Sequence, residues 1–237
     1  MDSPKSLKAA LFDLDDTISD HTTVMITSLE HLAKVHNLPD CFVPTFLKAN
    51  KAMWTDYEQG QLSRDEIRYG RMRAVLAKCG RPNLDARILM EEYFAHYGSH
   101  QLLFPGALDC LRKLGCIIKL GIITNGFVDI QRDKLERTGL AELVDVVLIS
   151  EETGKIKPHP EVFRLALQRL EIETEEALYI GDSYATDIIG AANAGIKTIW
   201  FNPRGMEPTS EYHGKMVENW RTLEQILLSR INGGWND

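Results

Sequence analysis

The chain has 237 residues, 44 % hydrophobic and 26 % charged, which suits a globular protein of one large domain or a domain with an insert. Twenty-seven basic against 34 acidic residues give a net charge of −7 with no basic tract, which argues against a nucleic-acid polymer as main partner but not against a small phosphorylated ligand. No apolar stretch approaches the roughly 20 residues that span a bilayer, and Met1-Asp2-Ser3-Pro4-Lys5 offers no signal-peptide core, so no membrane partner and a cytoplasmic location are expected.

The first element is a buried strand, Lys8-Ala9-Ala10-Leu11-Phe12, followed by Asp13-Leu14-Asp15-Asp16-Thr17. Side chains alternate along a strand. Beyond its end the chain turns, and there Asp13 and Asp15 can converge on one ligand. Residues 20–100 hold no convincing strand and read as four helices, about 22–36, 42–55, 63–79 and 84–98, punctuated by Pro39, Pro44, Gly60, Gly80 and Pro82. Such an insert, placed after the first strand, is expected over that strand's carboxyl end. Within it Trp54 and Tyr57 suit either stacking on a nucleobase or packing in the insert's own core. Arg68, Arg71 and Arg73 could meet a carboxylate or a second phosphate, but read more readily as a solvated helix face. Ser19, Asp20 and His21 stand at the hinge.

Short runs rich in Ile, Val and Leu then recur at 117–123, 144–149, 178–180 and 198–201, without the alternation of half-exposed strands. They suit parallel strands buried on both faces. Helical patterns lie between and after them at 108–114, 128–138, 161–170, 185–194 and 220–229. This alternation predicts an α/β fold: a Rossmann-like, doubly wound parallel sheet (1–19 and 101–237) with an inserted all-helical domain (20–100). Cys41, Cys79, Cys110 and Cys116 lack metal-like spacing and read as free structural thiols. Gly233 to Asp237 reads as a frayed end.

Four strand ends carry chemistry. Asp13 and Asp15 follow the first. Thr124 and Asn125 follow the second, where a hydroxyl and an amide either bind an anion or cap a helix. Lys157 precedes Pro158 in Lys155-Ile156-Lys157-Pro158-His159-Pro160, and the prolines hold that segment extended. It is an aimed cation or a surface lysine. Asp182 and Asp187 follow the fourth run, as Mg²⁺ ligands or, for Asp182, as a helix cap. Acids, hydroxyl, amide and lysine on one sheet edge are what phosphoryl transfer needs.

In this order the motifs resemble those of the haloacid dehalogenase superfamily, over about 155 residues of core, and the helical insert is similar to that family's cap. The resemblance implies a Mg²⁺-dependent phosphomonoesterase. Asp13 would be the nucleophile and Asp15 the general acid and base. Thr124 and Asn125 would bind phosphoryl oxygens, and Lys157 would steady Asp13. Asp13, the Asp15 carbonyl and Asp182 would bind the metal, supported by Asp187. An acid at position 15 implies phosphate-ester rather than dehalogenase chemistry. Trp54-Thr55-Asp56-Tyr57-Glu58-Gln59-Gly60, Ile123 to Gly126 leading to 134–140, and Asn193 to Pro203 look like the noncanonical pyrimidine nucleotidase subgroup. His159 departs from the Asp often found there. The alternatives are a sugar-phosphate phosphatase of the N-acylneuraminate-9-phosphate type, a phosphomutase, and a non-catalytic binding protein. Oligomeric state is not implied.

Overall fold

A computed structural model of the chain describes residues 6–207, 212 and 214–233; the expectations for residues 1–5 and 234–237 lie outside them. The chain divides into two units, residues 1–20 with 102–237, and residues 21–101.

The first unit is built on β1 (Ala9–Phe12), α5 (Ala107–Gly115), β2 (Lys119–Thr124), α6 (Val128–Thr138), β3 (Val146–Ile149), the short α7 (Ser150–Thr153), α8 (Pro160–Leu170), β4 (Ala177–Gly181), α9 (Ile189–Asn193), β5 (Lys197–Phe201), β6 (Lys215–Val217) and α10 (Trp220–Ile231). The four helices numbered before α5 belong to the second unit and are given with it. Among the described residues the six strands form one all-parallel sheet in the order β3-β2-β1-β4-β5-β6. The chain runs outward from β1 through β2 and β3, then returns to its other side for β4 to β6. The strand order therefore reverses between β1 and β4, and ligands of such sheets bind at the carboxyl ends of the strands there.

Alternation along β1 sorts its side chains between two cores. Ala10 and Phe12 pack with Leu111 and Leu114 of α5 and Trp220, Leu223 and Leu227 of α10. Ala9 and Leu11 pack with Phe163, Ala166 and Leu170 of α8 and Ala191 of α9. Asp13 continues the second set. Local signals place the helices: Pro160 opens α8, Gly139 at φ 70° ends α6, and Asn219 caps α10 by accepting a hydrogen bond from Thr222 N at 2.9 Å. Trp220 stacks on Phe12 at 5.6 Å between centroids and its indole N–H donates to Thr17 O at 2.9 Å, tying α10 to the turn after β1. Trp220→Ala should lower stability by about 3–5 kcal/mol, read as a lower denaturant midpoint; a shift under about 1 kcal/mol would mean the site collapses around the loss.

β6 and the π-helical turns at Glu66–Gly70 and Tyr184–Ile188 were not expected from the sequence. β6 has three residues, two of them exposed, and is defined by pairing with β5.

The second unit holds α1 (His21–Val35), α2 (Phe42–Glu58), α3 (Arg71–Lys78) and α4 (Ala86–Ser99), close to the four expected helices. None of the described helices is long and apolar enough to cross a membrane. Phe42, Phe46, Met72, Val75, Leu76, Leu89, Met90 and Tyr93 are fully buried or nearly so. The expectation of a solvated arginine face is corrected here. Arg73 is exposed, but Arg68 and Arg71 are buried at 9 % and 5 % exposure. Ile67, Arg68, Arg71, Met72, Val75 and Leu76 form one helical stripe, so position overrides charge. Arg71 donates to Asn50 Oδ1 and lies over Phe46 at 5.4 Å; Arg68 lies over Phe94 at 4.4 Å. Trp54 and Tyr57, one turn apart on α2, are half-buried and pack edge to face at 5.5 Å.

Candidate active site

β1 delivers Asp13 to the strand-order switch, where its N–H donates to Ile180 O of β4 at 2.9 Å. The chain then turns tightly. Ile18 N and Ser19 N both bond Leu14 O, and Asp16 adopts φ 57°. Arg204, from the loop after β5, pairs with Asp16 at 3.1 Å and Asp20 at 2.5 Å, holding two points of this turn.

Lys157 is the hub of the buried cluster. Its Nζ donates to Asp13 Oδ1 at 2.5 Å, Asp187 Oδ1 at 2.7 Å and Tyr179 OH at 3.2 Å. Burial alone would push its ammonium down, but Asp13 and Asp187 outweigh burial and hold it well above the usual lysine value. Asp187 also accepts from Tyr179 OH at 3.1 Å and, through Oδ2, from Ser183 N at 3.0 Å. A Cβ on Gly181 would sit 2.4 Å from the Asp187 carboxylate, so the glycine ending β4 makes room for this acid.

Asn125 fixes the backbone of Lys157. Its Nδ2 donates to Lys157 O at 2.9 Å, while its Oδ1 accepts from Lys157 N at 2.9 Å and Ser150 Oγ at 2.7 Å. This side chain, expected on a phosphoryl oxygen, clips the β2 end to the lysine segment. Lys155 points elsewhere and pairs with Glu161 at the surface.

Asp15 belongs to a separate cluster. Lys134 Nζ donates to Asp15 Oδ1, and Gln131 Nε2 bridges Asp15 Oδ2 at 2.8 Å and Thr124 Oγ1 at 2.9 Å. Lys134 and Gln131 lie on one face of α6, at 0 % and 1 % exposure. A Cβ on Gly126 would fall 2.0 Å from Gln131 Nε2, so a glycine after Asn125 admits the glutamine. Thr124 Oγ1 accepts from Gln131 and, at 3.3 Å, from Gly126 N. Both lone pairs are thereby engaged, which leaves its hydroxyl proton to donate.

Asp13, Asp182 and Asp187 each place a carboxylate oxygen within 4.8 Å of the others. Burial, with Asp187 and Asp15 nearby, pushes the Asp13 carboxyl up to about 8 despite Lys157. Burial and then Asp13 and Asp187 push Asp182 well above the usual carboxylate range. Three acids around one lysine leave an excess of negative charge that a hard divalent cation with oxygen ligands would balance. Both oxygens of Asp187 already accept protein donors, so Asp13 and Asp182 are the freer ligands.

The structure thus brings together Asp13, Lys157, Asp182 and Asp187, and links Asp15 to Thr124. Trp54 and Tyr57 lie in the helical unit. Sequence reasoning missed Gln131, Lys134, Tyr179, Ser150 and Arg204. A signal for the first two existed, since Gln131, Lys134 and Leu135 share the buried face of α6.

An all-parallel sheet whose reversal point gathers buried acids around one lysine is a doubly wound α/β fold with an acid-centred site where its ligands bind. The chain belongs to the haloacid dehalogenase-like hydrolase family, whose model matches residues 10–201. It is 34 % identical to the pyrimidine 5'-nucleotidase YjjG of Escherichia coli, over 75 % of this chain and 79 % of that one. It is 32 % identical to the pyrimidine 5'-nucleotidase PynA of Streptococcus pneumoniae, over 84 % and 86 %. The solved structure of the HAD-hydrolase YfnB of Bacillus subtilis, bound to magnesium and described as revealing interdomain movement, superposes with a TM-score of 0.84 at 31 % identity, covering 94 % of this chain and all of that one.

Proposed function

We propose that this protein is a Mg²⁺-dependent phosphomonoesterase that forms an aspartyl-phosphate on Asp13 and acts on pyrimidine nucleoside 5'-monophosphates. The observation that carries the chemistry is the separation of two carboxylates. Asp13 is buried against Lys157, while Asp15, two residues on, is held apart by Gln131 and Lys134. One suits nucleophilic attack and the other proton transfer.

Asp13 attacks phosphorus, and the ester oxygen leaves with a proton from Asp15. The Asp15 carboxylate then takes a proton from water, which attacks the phosphorus and releases inorganic phosphate and free Asp13. Thr124 donates its hydroxyl to a phosphoryl oxygen, and Lys157 keeps Asp13 oriented and offsets negative charge. Mg²⁺ held by Asp13, Asp182 and the Asp15 carbonyl would supply further neutralisation of phosphoryl charge. The substrate assignment rests on the names of YjjG and PynA. In this reading the helical unit is the substrate-selecting cap of a small phosphorylated metabolite, with Trp54 and Tyr57 stacking on the base.

Phosphate release with Mg²⁺ across nucleoside monophosphates, N-acylneuraminate 9-phosphate and hexose phosphates tests this reading. Preference for UMP, dUMP or dTMP is expected. A sugar phosphate as best substrate would overturn the base-binding role. Transfer of phosphate within a sugar without release would make the protein a mutase.

Lys134→Met leaves Gln131 alone to aim Asp15 and should slow hydrolysis of alkyl phosphates by about tenfold or more, with a smaller loss on p-nitrophenyl phosphate, whose leaving group needs little help from an acid. Equal losses on both would show that Lys134 does not act through Asp15.

Metal binding should depend on pH. Below 3.8, the ordinary value for Asp13, its carboxyl is protonated in both folded and unfolded chains. Between there and about 8 the unfolded chain ionises while the metal-free folded chain keeps its proton, so stability falls as pH rises. Without metal, the melting temperature should drop from about pH 5 to about pH 8. Mg²⁺ should raise it more at the higher pH, because there the cation meets carboxylates that burial alone would keep neutral. An equal Mg²⁺ shift at both values would count against the assigned ligands.

A further inference from the structure

Two thiols of the helical unit lie against each other. Cys41 stands at the N-terminal end of α2 and Cys79 at the C-terminal end of α3. Their sulfurs are 3.2 Å apart although the residues are 38 positions apart in sequence. Cys41 is exposed and Cys79 half-buried, so the pair can be reached from solvent. The other two cysteines provide a contrast. Cys110 is buried, and burial pushes its thiol up to about 12. Cys116 is exposed, and its thiol donates to Arg112 O at 3.4 Å.

We propose that Cys41 and Cys79 form a reversible oxidation site, closing an intramolecular disulfide when a peroxide reaches the protein. The sulfurs need to approach by only roughly 1.2 Å to reach disulfide length. Both residues flank helices rather than lying within them, so the rotation leaves the helical ladders intact. The exposed Cys41 thiol releases its proton, the thiolate attacks one peroxide oxygen to give its sulfenic acid, and the hydroxide set free takes that proton back as water. The Cys79 sulfur then attacks Cys41 Sγ and expels hydroxide, which takes the Cys79 proton as water. Two thiols and one hydrogen peroxide become one disulfide and two waters. Burial and the contact with Cys41 hold the Cys79 thiol up, which suits it to the second step rather than the first. The bond would tie the start of α2 to the end of α3, closing a loop that carries Trp54, Tyr57, Arg68 and Arg71.

The test uses the full chain treated with hydrogen peroxide, alkylated, digested without reductant and analysed by mass spectrometry. The expected product is a peptide pair joined through Cys41 and Cys79, two hydrogens lighter than the free pair and released by dithiothreitol, with Cys116 alkylated. The oxidised protein should also melt higher by about 5 °C. Cys41→Ser, which keeps a good residue at that helix end, should show neither effect. Alkylation of Cys41 and Cys79 to the same extent as Cys116, sulfinic acids at the two sites without a bond, or a link between two chains would each overturn the proposal. An oxidised Cys41→Ser protein that gains the same melting shift would do so as well.

Discussion

Asp13→Asn abolishes phosphate release, with turnover falling about 10⁴-fold or more, while the fold is kept. The amide has the shape of the carboxylate but cannot attack phosphorus or hold the phosphoryl group. The fold should tolerate the change, because an ionised Asp13 is itself costly in this buried position. In metal-free buffer the variant should therefore melt at or above the parent at about pH 8, and the advantage should vanish near pH 4. Circular dichroism melts and a phosphate assay read both parts. Retained turnover in a clean preparation would remove Asp13 as nucleophile. A loss of fold would show that its bond to Lys157 outweighs its desolvation.

Lys157→Met damages both activity and stability. The ammonium touches Asp13 and Asp187, all three being nearly inaccessible. Deleting one partner of a buried ion pair costs about 3–5 kcal/mol, because it leaves uncompensated charge. Protonation of Asp13 limits that cost, so the loss should be smaller in acid and grow with pH. Turnover should fall by about 10²–10³-fold, the scale of losing a preorganised charge at a reacting centre. A near-normal rate would transfer the role to Lys155, whose surface pair with Glu161 gives no geometric reason to expect it.

The sheet was legible because parallel strands buried on both faces leave continuous apolar runs. The five runs correspond to β1 to β5 within two residues at either end. The four helices of the insert were legible from their punctuation. The hub of acids and lysine was legible because each member follows a strand or stands before a proline. What escaped depends on distance in sequence. Nothing near Lys134 announces Asp15, 119 positions away. Arg68 and Arg71 escaped because charge was weighed above position on the stripe. The hold of Asn125 on the Lys157 backbone escaped likewise, because the two residues are 32 positions apart.

The order of the strands also bears on how the protein is made. β1 is central, yet its partners β2 and β4 begin at Lys119 and Ala177. A chain leaving the ribosome carries Asp13 early and waits for most of its length before both edges of that strand are covered. Lys157 emerges before Asp182 and Asp187, so the charge that offsets the first acid arrives ahead of the last two. Closure of the sheet around β1 is thus a late, long-range event, of the kind that slows folding.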